Sequence, residues 1–409
     1  MPKKRQAAQK QSGAKAKEAN ERREADRADR KKRDRTRDSL KAQGFLQQAL
    51  VPVLIAFIAL VAWSAPPVDH EPVFPEIKKS LVEVRPGVTL AFLDSGELEG
   101  QQLQANGSTI VLVHGFPSSA SLWKPFVHKM AQETGKRVVA PFMRGYGESS
   151  RPEAVEAYSM AELTADLVAL LDVLSVERAT FIGHDWGGVI VWGMARLQPK
   201  RVAAAGAIGI PYGFEEQLGV WPDTTLETKK LLNMERLRVS SRQFGYMLFL
   251  NRSWSWLPLS INVRALLAVA LRGEDEKSTV SLLAAIFFGA HSRHLEPALF
   301  SEIVQEYSVS GMRGPINYYR NFERNEQRLR DLGLSGVSKE TRPTLIITCG
   351  QDKVIAPQLA MHMERRCASL DRVHLPRAGH WPLVDSQQEL LAALLRWLAA
   401  ALLLLSLPS

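Results

Sequence analysis

The sequence predicts an α/β fold: a mostly parallel sheet with helices on both faces and a helical lid inserted over one end. Three features carry this reading. Short apolar runs bounded by Gly, Pro or polar residues recur from Leu81 to Leu375, with amphipathic stretches between most of them. Buried parallel strands alternating with helices produce that pattern. The alternation stops between Tyr212 and Ser338, a helix-like stretch carrying Trp254, Trp256, Phe287, Phe288, Tyr318 and Tyr319. Finally, the hexad Gly183-His184-Asp185-Trp186-Gly187-Gly188 joins an apolar run to a helical stretch.

The 409 residues are 45% hydrophobic, which excludes a wholly disordered chain, and the two cysteines exclude a disulfide scaffold. The net charge of +9 is local: residues 1–44 hold 16 Lys and Arg against 7 Asp and Glu, and the remainder holds 36 of each. The body therefore has no nucleic-acid-binding charge, and residues 1–44 read as a basic disordered tail. Residues 45–64 read as a transmembrane anchor. No charged or strongly polar residue occurs from Ala49 to Trp63, and the run from Phe45 is just long enough to span a bilayer. Pro52 is tolerable near a membrane-helix end, and Trp63 suits the interface. A tail of 44 residues is too long for the n-region of a cleaved signal peptide, while a buried or interfacial helix stays open. The Lys/Arg excess predicts a single-pass protein, in the endoplasmic reticulum, with its N-terminus cytoplasmic. Residues 65–78 form a Pro-rich linker.

Residues 79–211 are the first half of the core. Leu81–Val84 and Thr89–Leu93 flank a Pro86-Gly87 turn, and Thr109–Val113, Arg137–Ala140, Ala179–Ile182 and Val202–Ile210 follow as strands. Residues 212–338 form the helical lid. Residues 339–398 complete the core with strands at Thr344–Thr348 and Arg372–Leu375, and 399–409 are an apolar C-terminal tail. Arg396 interrupts that last apolar run, leaving its clean part too short to span a membrane, so a terminal helix packed on the sheet is expected there.

The hexad has the small–x–nucleophile–x–small spacing of a tight strand-to-helix turn that lifts its middle side chain above the sheet. Here that side chain is Asp185, an ionised carboxylate that can attack carbon without a base to deprotonate it. A Gly-rich turn with Asp185 capping a helix is the alternative. His114-Gly115-Phe116-Pro117 follows an earlier strand, where Phe116 and Trp186 can supply two backbone N–H groups to an oxyanion. Asp352 and His380 come later, each after a strand, in the order nucleophile, acid, histidine. His380 is then the base and Asp352 its orienter.

From Leu81 to Leu398 the chain resembles the epoxide hydrolase family of α/β-hydrolases. The likeness rests on the elbow, on Met143-Arg144-Gly145-Tyr146-Gly147-Glu148-Ser149-Ser150-Arg151-Pro152, and on Gly314-Pro315-Ile316-Asn317-Tyr318-Tyr319-Arg320-Asn321. It implies an α/β-hydrolase fold and hydrolysis of an epoxide to a vicinal diol through an ester on Asp185. It also implies that Tyr319 and Tyr246, the latter in Phe244-Gly245-Tyr246-Met247-Leu248-Phe249, donate hydrogen bonds to the ring oxygen. Phe116, Pro117, Trp186, Tyr246, Tyr319 and Trp381 would line the substrate site. No metal or organic cofactor is implied, and the partner is a hydrophobic small-molecule epoxide, with a lipid-derived one among the options. The sequence departs from the family at Ser118, where Glu is frequent, and at Phe142, where Asp is frequent. A dehalogenase-like hydrolase using the same Asp185, and a non-catalytic binding protein of the same fold, are the alternatives. Gly145 and Gly147 lack the third glycine of a dinucleotide fingerprint, His291 and His294 lack an acidic or Cys partner, and Cys349 and Cys367 lie in no activating pattern.

Overall fold

A computed structural model describes residues 77–96, 109–214, 250, 255–261, 263–271, 295–334, 339–361 and 363–406. The tail, anchor and most of the linker expected at 1–76 lie outside these residues, as do Tyr246, Trp254, Phe287, Phe288, His291 and His294.

Eight strands form one sheet: β1 (Lys78–Arg85), β2 (Val88–Asp94), β3 (Thr109–Val113), β4 (Val138–Pro141), β5 (Ala179–His184), β6 (Val202–Ile208), β7 (Glu340–Cys349) and β8 (Cys367–Leu375). Their order is β1-β2-β4-β3-β5-β6-β7-β8. The β1–β2 hairpin is antiparallel, β2 meets β4 antiparallel, and every later pairing is parallel. All residues of β3, β4, β5 and β6 are buried, because helices cover both faces. On one face α1 (Lys124–Thr134) packs against the C-terminal helix α10 (Gln387–Ser406). On the other, α2 (Met160–Val173) packs against α3 (Trp186–Leu197).

The parallel sheet expected from the apolar runs is present, and its last two strands are longer than those runs. β7 starts at Glu340, whose buried carboxylate is held by Arg342 at 2.6 and 2.7 Å. β8 is an edge strand with Asp371, Arg372 and His374 exposed, so its pairing with β7 is not written in continuous apolarity. Residues 399–406 continue α10 as the terminal helix expected there, since Ala393, Leu394, Trp397, Leu398 and Ala401 keep a helical stripe buried on the core. Among the described residues α10 is the one helix long and apolar enough to cross a membrane; Leu403 and Leu404 at its end are exposed.

Between β6 and β7 the described residues form α4 (Trp256–Ile261), α5 (Val263–Ala270), α6 (Pro297–Ser310), α7 (Arg313–Arg320) and α8 (Phe322–Asp331). A buried ionic knot ties α7 to the core. Arg144 grips Asp166 of α2 through two hydrogen bonds of 2.7 and 2.8 Å, Arg85 adds a contact of 2.9 Å, and the Tyr318 hydroxyl donates to the Arg144 carbonyl at 2.8 Å. Asp166 is fully buried, so it is tolerable only with these partners. Asp166→Ala is expected to cost about 3–5 kcal/mol, because it removes the bidentate partner of the buried Arg144 charge and leaves it only the longer contact to Glu162 at 3.7 Å. Lys79→Ala, which breaks the exposed pair with Glu148, should cost less than about 1 kcal/mol. Denaturant midpoints of the two variants test the contrast; equal losses would contradict it.

Candidate active site

The turn between β5 and α3 is set by close approach. Asp185 sits at φ +53° and ψ −124°, a conformation costing a non-glycine residue about 1–3 kcal/mol. A Cβ on Gly183 would overlap the Gly187 carbonyl, and one on Gly187 would overlap the Val113 carbonyl of neighbouring β3. Bare backbone at both positions lets α3 start directly against the sheet. The N–H groups of Gly188 and Val189 donate to the Asp185 carbonyl at 2.8 and 3.2 Å and close the turn. Trp186 is the first helical residue, where the N–H has no partner within the helix.

The loop after β3 meets the turn from the side. The Phe116 N–H donates to Asp185 Oδ1 at 2.8 Å, and Gly115 lies so close that a Cβ there would strike the Asp185 side chain. His114 stiffens the loop from beneath. Its Nε2 accepts from the Met143 N–H at 3.1 Å, so its Nδ1 carries the hydrogen and donates to the Gly115 carbonyl at 3.1 Å. Burial pushes His114 down to about 4, which keeps it neutral. Of the two departures from the family pattern, Ser118 donates its hydroxyl to the Gly115 carbonyl at 3.1 Å, and Phe142 is buried against Gly147. Pro117 is buried beside them.

The last two strands bring the remaining groups. Asp352 follows β7, and its Oδ1 accepts from the Val354 and Ile355 N–H groups, each at 2.8 Å. Its Oδ2 lies 3.0 Å from His380 Nδ1, and His380 Nε2 lies 3.6 Å from Asp185 Oδ2. Burial alone would lower the His380 pKa. The Asp352 and Asp185 carboxylates on either side outweigh it and hold the imidazole up at about 10. Burial opposes ionisation of Asp185 in turn, but His380 and the Phe116 N–H keep it below the usual carboxylate range. His380 thus lies in line between two carboxyl groups that favour its protonated form.

Tyr319 on α7 is buried, with its ring edge-on to Trp186 at 4.9 Å and to Phe116 at 5.7 Å between centroids. Neighbouring Tyr318 has its hydroxyl committed to Arg144, which separates the two tyrosines by role. Trp381 packs against His380 at 5.0 Å. The structure therefore brings Asp185, His380, Asp352, Phe116, Pro117, Trp186, Tyr319 and Trp381 into one region. Motif reading passed over His184, whose Nε2 donates to the His380 carbonyl at 2.7 Å. Burial and the charge on His380 push His184 down to about 4, so it is a neutral donor. Its place beside the nucleophile was visible in sequence; its reach to a residue 196 positions away was not.

Residues 108–387 match the family described as the alpha/beta hydrolase fold. Epoxide hydrolase A of Mycobacterium tuberculosis is 32% identical over 332 residues, covering 76% of this chain and 94% of that protein. Bifunctional epoxide hydrolase 2 of Sus scrofa is 33% identical over 344 residues, covering 81% of this chain; the chain spans 57% of that relative's length. The crystal structure of epoxide hydrolase A from Mycobacterium thermoresistibile superposes with a TM-score of 0.63 at 29% identity, covering 79% of this chain and 98% of that one. With the family match spanning more than half of the sequence, and a relative 32% identical aligned over 94% of its own length, the chain belongs to the epoxide hydrolases of the α/β-hydrolase family.

Proposed function

We propose that this protein hydrolyses an apolar epoxide to a vicinal diol through a covalent ester on Asp185. The observation that carries this is the line Asp185–His380–Asp352 beneath a wall formed by Trp186, Phe116 and Tyr319. The Tyr319 hydroxyl hydrogen-bonds the ring oxygen and stabilises the alkoxide as the C–O bond breaks; Tyr246, its expected companion, lies outside the described residues. The Asp185 carboxylate attacks the ring carbon. Neutral His380, oriented by Asp352 and by the bond from His184 to its carbonyl, then takes a proton from water as that water attacks the ester carbonyl. The Phe116 and Trp186 N–H groups face the oxyanion, each worth about 3 kcal/mol in comparable sites. Collapse of the intermediate expels the diol oxygen, which takes the proton held on His380, and so releases the diol and regenerates the carboxylate and the neutral base. The aromatic, largely apolar wall supports a hydrophobic epoxide as substrate.

A single turnover on styrene oxide in water carrying heavy oxygen should give diol whose new oxygen is unlabelled, because it comes from Asp185. Label in the first-turnover diol would mean direct attack by water. His380→Gln should retain alkylation, block ester hydrolysis and gain the mass of one substrate. Turnover of a chloroalkane at a rate comparable to styrene oxide would favour the dehalogenase alternative.

Tyr319→Phe should slow alkylation by about tenfold or more, since a developing alkoxide loses a donor in a site with little water. Stopped-flow quenching of tryptophan fluorescence reads that step; an unchanged rate would remove Tyr319 from the chemistry.

The two steps should also differ in pH dependence. Alkylation requires ionised Asp185, whose pKa is lowered, so it should stay level across neutral pH. Esterification removes the Asp185 charge, one of the supports that raise His380, so the imidazole becomes easier to deprotonate. Hydrolysis requires the neutral base and should rise with pH as His380 loses its proton. A hydrolysis rate that falls with rising pH would rule His380 out as the base.

A further inference from the structure

The loop that touches the nucleophile is gripped from outside by one helix of the insertion. On α6, the buried Glu306 carboxylate accepts from the Ser121 hydroxyl at 2.6 Å and from the Ser119 hydroxyl. Next to it, the Tyr307 hydroxyl donates to the Ser118 carbonyl at 2.9 Å. One turn earlier, Glu302 accepts from Lys124 at 2.6 Å and lies 3.1 Å from the Ser121 hydroxyl oxygen. On its inner side the same segment folds onto itself, with the Ser118 N–H and hydroxyl both donating to the Gly115 carbonyl, at 3.2 and 3.1 Å. Residues 115–121 are therefore held between their own turn and α6, and Phe116, in the middle of that turn, aims its N–H at Asp185.

Glu306 has no part in the chemistry proposed above, yet burying a carboxyl costs several kcal/mol unless its oxygens are hydrogen-bonded. Burial raises its pKa to about 7, with Glu302 adding to the rise and the two serine hydroxyls and Lys124 opposing it. Lys79 and Glu148 line the cavity of about 150 Å³ beside it. A group retained at that cost, with both oxygens bonded to one loop, calls for a role in that loop.

We propose that Glu306, acting through Ser119 and Ser121, positions the Phe116 N–H for the ester-hydrolysis step; this rests on the covalent route through Asp185. The choice of step follows from where charge gathers. During alkylation, charge leaves the Asp185 oxygens, so a misplaced N–H does not hinder attack. During hydrolysis, negative charge concentrates on the former carboxylate oxygen, and the donor must meet it at hydrogen-bond distance. Loosening the loop should therefore slow the second step selectively. Glu306 is a positioning residue, not a catalytic one.

The test is single-turnover kinetics on the full-length protein with styrene oxide, resolving alkylation from hydrolysis. Glu306→Ala should leave alkylation within about twofold of the parent and slow hydrolysis by about tenfold or more, so that alkyl-enzyme accumulates. Glu306→Gln, which keeps the volume, one acceptor oxygen and a polar partner for the second serine, should restore most of the hydrolysis rate. If Glu306→Ala does not fold, Tyr307→Phe and Ser121→Ala loosen the same loop and should shift the ratio of the two rates in the same direction. A general loss of folded protein lowers both amplitudes and leaves that ratio alone. An unchanged ratio in every folded variant overturns the proposal while leaving the covalent route standing. Failure of the parent enzyme to form any alkyl-enzyme overturns the route itself, and this inference with it.

Discussion

The site depends on a steric constraint at the β5–α3 turn. Asp185 is held at positive φ because the chain must pass from a fully buried strand into a helix within one residue. That passage needs Gly183 and Gly187 to have no side chains, since each backbone lies within overlap distance of a carbonyl. The same crowding presses the Gly115–Phe116 segment against the carboxylate and brings its N–H to 2.8 Å. A nucleophile on an ordinary turn would have neither the exposure above the sheet nor the fixed donor.

Electrostatics build on that geometry. Asp185 and Asp352 lie on either side of His380, so the imidazole is stabilised as a cation while both carboxylates are ionised. Two further histidines, His114 and His184, are driven neutral by burial and serve as fixed hydrogen-bonding struts. One residue type thus takes two roles in the same few ångströms, and the difference is the presence or absence of adjacent carboxylate charge. Formation of an ester on Asp185 would remove half of that charge and change the basicity of His380 between steps.

The insertion between β6 and β7 is joined to the core by polar contacts as well as apolar packing. Tyr318 reaches Arg144, Glu306 and Tyr307 reach the 118–121 segment, and Asn325 accepts from the Met160 N–H at 2.7 Å. These buried bonds are directional, so they fix α6, α7 and α8 in register with the sheet more tightly than apolar contact would. Tyr319 owes its position over Trp186 to the neighbouring Tyr318–Arg144 bond.

Much of this was legible in the sequence. Four strands that are buried on both faces read as uninterrupted apolar runs, and the glycine spacing around Asp185 announced a tight turn at a strand end. Asp352 and His380 were found because each stands just past a strand, where a parallel sheet collects its loops. The full extent of β7 and β8 was not legible, because edge pairing leaves little local pattern. Tertiary structure alone decided that His184 holds the His380 carbonyl, that Tyr318 is a strut while Tyr319 faces Trp186, and that Glu306 meets Ser119 and Ser121. Each joins residues more than 130 positions apart. A local pattern records backbone sterics and burial, but a hydrogen bond between distant segments exists only once the sheet has brought them within about 3 Å.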